Sequence, residues 1–260
     1  MIRTANISDV ENVIPLWGGD IRSVEHLGDR GNSVFSFKTL DGRIQILRCT
    51  DPDFRSFDDL LGELHFVNHL HAAGVPVAEC VSTIDGRLAI VSPCKSGNMV
   101  CSSVAYAPGV EVLDTSSHWN ADFFREWGRN LGLIHKEAAA LGLSGVNPKR
   151  WQWNEENIIA RAEQLIPSDD VKSLDEFREV MGRCRLLPKD QLNFGLIHAD
   201  HAPQNFRYDP EQNRITTFDF GNCCYHWFVS DLAISLSTVR RRPNRQGWLH
   251  NSSTTARRRR

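Results

Sequence analysis

Hydrophobic and polar residues alternate across Ser33-Val34-Phe35-Ser36-Phe37-Lys38 and again across Arg43-Ile44-Gln45-Ile46-Leu47-Arg48, with Asp41-Gly42 between them. Period-two alternation interrupted by Asp-Gly is the pattern of a β-hairpin, so residues from about Ile21 to Arg48 read as a meander. The period then changes. Leu60, Leu61, Leu64, Val67 and Leu70 recur at helical spacing, and the Gly74 that follows them ends the helix predicted over Asp58 to Ala73. Val75-Pro76-Val77 leads into two further strands, Arg87 to Ser92 and Met99 to Tyr106, before Pro108-Gly109 breaks the pattern.

Past Ala121 the chain turns helical. Phe123, Phe124, Trp127, Leu131 and Ile134 form one stripe ending at His135, and helices are also expected over Asn154 to Leu165, Ser173 to Cys184 and Asp231 to Val239. Phe194-Gly195-Leu196-Ile197 and Arg214 to Phe218 are apolar enough to be strands. Strands with one helix, followed by a mainly helical half, give an α+β class in two lobes: residues 1–108, residues 109–239, and a basic tail from 240 to 260. A cleft between two such lobes is a usual place for a ligand.

Charge sharpens this division. The chain of 260 residues has a formal net charge of −2, but eight of its 30 Lys and Arg lie from Arg240 onward, where there is no acid. Residues 1–239 therefore carry 22 basic against 32 acidic side chains, a net of −10. The tail has too few apolar residues to bury a core and is expected to be disordered. It would contact a polyanion, but the acidic body and the lack of any stacking or groove-reading motif argue against a nucleic-acid partner. No apolar run is long enough for a membrane span, and the N-terminus lacks the apolar core of a signal peptide, so a cytoplasmic protein is expected. Seven scattered cysteines without metal-ligand spacing read as reduced thiols.

The chemistry concentrates between Leu196 and Asp219. His198-Ala199-Asp200 is followed after four residues by Asn205, then by the turn Asp209-Pro210-Glu211-Gln212-Asn213, then by Phe218-Asp219-Phe220-Gly221. Asp200, on a loop after an apolar strand, is suited to align a hydroxyl for attack on a phosphate, as the catalytic carboxylate. Asn205 and Asp219 offer the sparse set of hard oxygens that magnesium takes when nucleotide phosphates complete its shell. Each residue alone also reads as an Asx turn or cap; the joint spacing sets them apart. In the first half, Arg48 ends a strand and Glu63 sits on the next helix, a cation–carboxylate pair placed to anchor ATP phosphates. Gly31 and Ser33, in the turn Gly28 to Ser33, would cover those phosphates with backbone N–H groups. Ala105 and Ala107, in Val104 to Gly109, would present backbone groups to adenine.

These residues, with Tyr225-His226-Trp227-Phe228 and Ser230-Asp231-Leu232-Ala233, resemble the signature run of the aminoglycoside phosphotransferase and choline kinase-like family, a small-molecule branch of the protein-kinase-like fold. The resemblance covers about residues 20 to 239. It implies an ATP- and Mg²⁺-dependent kinase acting on the hydroxyl of an amino sugar, amino alcohol or similar small molecule. It also implies that Asp231 braces the catalytic loop. Ala199 stands where the family often has Gly, and no Ala-Pro-Glu segment follows Asp219, which sets the chain apart from protein Ser/Thr kinases. Relatives continue with further acceptor-pocket helices where this chain turns arginine-rich, so a truncated copy is expected. The alternative is a catalytically impaired, pseudokinase-like nucleotide-binding protein without a complete acceptor pocket.

Overall fold

The structure, a computed structural model, describes residues 2–29, 31–113, 115–143 and 145–240. The basic tail expected beyond Arg240 lies outside the described residues, as does Arg30 of the Gly28 to Ser33 turn.

After a one-turn helix α1 (Ile7–Val10) and a 3-10 turn (Ile14–Trp17), the chain enters β1 (Gly19–Asp29), β2 (Asn32–Thr39) and β3 (Ile44–Thr50). The meander is present, and the Asp41-Gly42 hairpin is closed by Thr39 N–H donating to Arg43 O at 2.8 Å. Helix α2 (Phe57–Ala72) follows. Its start is fixed by a capping box: Ser56 Oγ accepts from Asp59 N–H, and the Asp59 carboxylate accepts from Ser56 N–H. Strands β4 (Cys80–Val81), β5 (Ala89–Cys94) and β6 (Gly97–Ala105) complete an antiparallel sheet in the order β1-β2-β3-β6-β4, with β5 also on the outer edge of β6. The sequence pattern missed β4, whose two residues are too few to show any period.

Helix α3 (Ala121–Leu141) carries the aromatic stripe and is capped by Asn120, whose side chain accepts from the N–H groups of Asp122 and Phe123. The helix expected over Asn154 to Leu165 is instead two single turns, α4 (Asn157–Ala160) and α5 (Ala162–Leu165). Ile158, Arg161, Glu163 and Leu165 are exposed, so no packed face holds the two turns together as one helix. Next come α6 (Val171–Arg185), β7 (Phe194–Ile197), a 3-10 turn (Pro203–Asn205), β8 (Phe206–Asp209), β9 (Arg214–Thr217), β10 (Cys224–Trp227) and α7 (Phe228–Arg240). Strands β7 and β10 pair, as do β8 and β9. All seven cysteines are free thiols. Among the described residues no helix is long and apolar enough to cross a membrane.

One core cluster joins the halves. Leu60, Leu64, Phe66, Val67 and Leu70 of α2 pack with Ile134 and Ala138 of α3, with Phe194 and Leu196 of β7, and with Phe220. Gly62 is required there, because a Cβ would lie 2.6 Å from Pro148 O, so only glycine lets the 148–150 segment approach α2 this closely. The backbone also joins the halves: Thr217 donates to Pro76 O at 3.0 Å and accepts from Ala78 N–H at 2.8 Å.

Candidate active site

The two halves enclose a cavity of about 290 Å³. Its sheet wall includes Val34, Ile46, Arg48 and Val104, and its opposite wall includes Arg207, Phe218, Asp219 and Phe220. Arg48 and Glu63 meet in its lining. Strand pairing sets Arg48 of β3 between Val34 of β2 and Ser102 of β6, and Glu63 comes from the buried face of α2. Their ion pair is 2.8 Å long and largely withdrawn from solvent. Burial opposes the guanidinium charge, but Glu63 and Asp219 outweigh it, so the Arg48 pKa is raised. The spacing of a strand Arg and a helix Glu therefore marked a real contact.

Asp200 and Asn205 lie on the loop between β7 and β8. Asn205 Nδ2 donates to Asp200 Oδ2 at 2.8 Å and to Asp200 O at 2.9 Å, while Asn205 O accepts from Phe218 N–H at 2.9 Å. That last bond ties the loop to the residue before Asp219. Asp219 itself has φ +63, an unusual backbone state for a residue other than glycine, and its Oδ1 lies 3.7 Å from Arg48. Asp200, Asn205 and Asp219 thus converge beside the cavity. The Asp200 pKa is raised, chiefly by burial, with Asp219 and Asp231 adding to it and the Asn205 hydrogen bond and His198 opposing.

Among the described residues, no group of three or more His, Cys, Asp or Glu is arranged to hold a metal alone. Asn205 with its amide nitrogen committed to Asp200, and Asp219 with an exposed carboxylate, form a two-residue hard-oxygen set that fits a magnesium ion also bound to phosphates.

The linker residues Ala105 and Ala107 line the cavity. Ala105 N–H is committed to Glu79 O and Tyr106 N–H to Ile44 O, which leaves Ala107 as the linker residue suited to a base. Gly31 and Ser33 are placed otherwise. Neither lines the cavity, and Ser33 Oγ accepts from Ala5 N–H on the far side of the sheet. Alternation along β2 gives the cavity to Asn32 and Val34 instead.

Buried groups support the loop. Asp231 of α7, fully buried, accepts from His198 N–H (2.9 Å), from Ala199 N–H (2.8 Å) and from His135 Nε2 (3.0 Å). Ala199 sits at φ +65, so the strain of the turn before Asp200 is held by these bonds. Burial works against the Asp231 charge, but the His135 bond and the neighbouring histidines outweigh it, and its pKa is lowered.

Three supporting residues had no sequence signal. His201 accepts from Trp127 Nε1 at 2.9 Å through Nδ1, so its Nε2 carries the proton and donates to Asn130 Oδ1 at 2.9 Å. Burial lowers its pKa to about 3. Asn130 also accepts from Thr217 Oγ1 at 2.7 Å. Arg150, buried, donates to Cys223 O at 2.8 Å, to Gly221 O at 2.7 Å and to Asp59 O, and so pins the Asp219 loop to the start of α2. The partners just named lie 70 or more residues away in the sequence, and only a motif for the assembled set would have found them.

A family model described as the phosphotransferase enzyme family matches residues 24–257. Amicoumacin kinase of Bacillus subtilis (strain 168) is 34% identical over 217 residues, which is 83% of this chain and 63% of that protein. The chain therefore spans less than two thirds of the length of this relative. A solved amicoumacin kinase, hAmiN in complex with AMP-PNP, Ca2+ and Ami, superposes with a TM-score of 0.80 at 30% identity, covering 88% of this chain and 68% of that one. A microcompartment-associated aminopropanol kinase shares the fold at 19% identity, with a TM-score of 0.71 and coverage of 89% and 74%. These neighbours bear out the α+β, protein-kinase-like fold expected from the sequence. The family match begins within β1 and takes in the cavity, the Asp200 loop and the Asp219 loop, and on that ground the chain belongs to the phosphotransferase enzyme family.

Proposed function

We propose that this chain is an ATP-dependent phosphotransferase that moves the γ-phosphate to a hydroxyl of a small molecule. The observation that carries the reading is the convergence of Asp200, Asn205 and Asp219 next to a cavity holding the Arg48–Glu63 pair. In this reading residues 1–108 hold the nucleotide and residues 109–239 supply the catalytic and metal-binding loops. Arg48, oriented by Glu63, binds the inner phosphates, and the Ala107 N–H meets the base while Ala105, its own N–H committed to Glu79 O, lines the slot beside it. Asn205 Oδ1 and Asp219 would hold a magnesium ion, which would supply charge neutralisation on the phosphates. The relative solved with AMP-PNP and Ca2+ supports the use of a nucleotide and a divalent cation.

Asp200 Oδ2 is held by Asn205, which aims the carboxylate so that Oδ1 accepts the hydrogen bond of the acceptor hydroxyl. As the acceptor oxygen bonds to the γ-phosphorus and the bond to the ADP oxygen breaks, the hydroxyl proton passes to Asp200. Its raised pKa brings it nearer to working pH as a base. The net charge of −10 over residues 1–239 suits an amine-bearing acceptor such as an amino sugar or amino alcohol, and the amicoumacin kinases support a small-molecule acceptor.

The test is Asp200→Asn, with ATP binding followed by calorimetry and turnover by ADP release over a panel of amino alcohols and amino sugars. Binding should persist and turnover should fall by about 10³-fold or more. Undiminished turnover would remove Asp200 from the chemistry.

A further inference from the structure

Asn130 lies within α3, on the same buried stripe as Trp127, Leu131 and Ile134, and is itself fully buried. Asparagine favours neither a helix interior nor a dry site, so its presence there calls for partners. It has a full set. Nδ2 donates to Pro76 O and to Ile215 O, each at 3.3 Å, and Oδ1 accepts from Thr217 Oγ1 at 2.7 Å and from His201 Nε2 at 2.9 Å. Both amide protons and both oxygen lone pairs are thereby used.

The hydrogens have one arrangement. The Pro76 and Ile215 carbonyls only accept, so the amide nitrogen of Asn130 must face them and its oxygen must face Thr217 and His201. Trp127 Nε1 only donates, so His201 receives it on Nδ1 and carries its proton on Nε2. The series from Trp127 through His201 and Asn130 to the two carbonyls therefore runs in one direction. No member can turn without leaving a buried polar group unpaired.

The groups joined in this way bracket the chemistry. His201 directly follows Asp200, and Thr217 stands two residues before Asp219. Besides the Phe218–Asn205 backbone bond, the Asn130 carboxamide thus links the Asp200 loop to the Asp219 loop. Such links oppose a force: the Asp219 charge acts unfavourably on ionised Asp200, so the two carboxylates repel.

We infer that Asn130 is a positioning residue, whose carboxamide fixes the separation of Asp200 and Asp219 before any cation binds between them and the nucleotide. This rests on the phosphotransferase reading given above and extends it to a residue that touches neither substrate nor metal. Without the link, the two loops relax apart, and gathering them is charged against cation binding.

The test uses the full chain with Asn130→Leu, which keeps the volume and removes all four bonds, at a temperature well below its melting point. ATP affinity by calorimetry without magnesium should stay within about twofold of wild type, while the magnesium concentration that half-maximally tightens ATP should rise about tenfold. In turnover, kcat should fall about tenfold or more with KM for ATP little changed. The His201 Nε2–H proton resonance, read by NMR without ligands, should move. Asn130→Asp at pH 6, where burial favours the neutral acid, offers an oxygen to His201 and an O–H to one carbonyl, and should recover most of the magnesium response. A lower melting temperature with unchanged magnesium response and kcat would make Asn130 purely structural and overturn the inference. So would an Asn130→Asp protein as impaired at pH 6 as Asn130→Leu. If Asn130→Leu does not fold, Thr217→Val, which removes one of the four bonds, carries the same comparison with an expected change of about threefold. Wild type that binds no ATP would defeat the phosphotransferase reading without reference to any variant; a His201 resonance unmoved in Asn130→Leu would still decide against the link.

Discussion

Replacing Asp231 with alanine tests whether the catalytic loop is held from beneath. The substitution removes three hydrogen bonds of 2.8 to 3.0 Å to a fully buried carboxylate. It strands the N–H groups of His198 and Ala199 and the His135 imidazole in a largely buried site. Bonds to a charged acceptor contribute about 1.5–3 kcal/mol each, and a buried donor left unsatisfied costs about 1–3 kcal/mol. These terms overlap and do not add, so the expected loss is about 3–5 kcal/mol, as for breaking a buried ion pair. Against a typical domain stability of about 5–15 kcal/mol this is a large fraction. Urea unfolding followed by circular dichroism at pH 7 measures it. The pH dependence adds a second constraint. Because the folded pKa of Asp231 is depressed, its stabilisation is present above the unfolded value near 4 and is lost as pH falls through the folded pKa. The gap between wild type and Asp231→Ala should therefore persist down to about pH 4 and close below it. A loss under about 1 kcal/mol at pH 7 would refute the bracing argument, since no rearrangement short of admitting water could satisfy three donors at once.

Other outcomes follow from the same structure. Arg150→Met should cost roughly 2–4 kcal/mol in urea unfolding and lower kcat more than ATP affinity, because the Asp219 loop is no longer fixed to α2; unchanged stability and kcat would rule out that coupling. His201 is held neutral by burial, so between its unfolded value near 6.5 and about 3 the unfolded chain binds the extra proton. Stability should fall as pH drops below about 6.5, with a slope approaching about 1.4 kcal/mol per pH unit from this group alone, and His201→Gln should flatten that slope. Asp200→Asn should melt at or above the wild-type temperature, because the raised pKa means that ionised Asp200 is a liability to folding at neutral pH; a clear fall in melting temperature would contradict that sign.

Much of this was legible along the chain because it is local. The hairpin at Asp41-Gly42, the capped helix α2 and the stripe on α3 depend on periods and caps within a few residues. The Asp200, Asn205 and Asp219 spacing could be read because one turn, 209 to 213, connects the pieces. What the sequence could not decide was set by contacts across long separations. Whether Ser33 or its neighbours faced the cavity depended on the register of β2 against β3, where a shift of one residue exchanges faces. The continuity of the 154–165 helix depended on whether anything packed against it. Arg150, Asn130 and His201 acquired their roles only when the chain brought distant carbonyls and side chains within hydrogen-bond reach. Periodicity records which side of an element is apolar, but a buried polar residue is defined by its partners, and those are fixed only when the two halves close on each other.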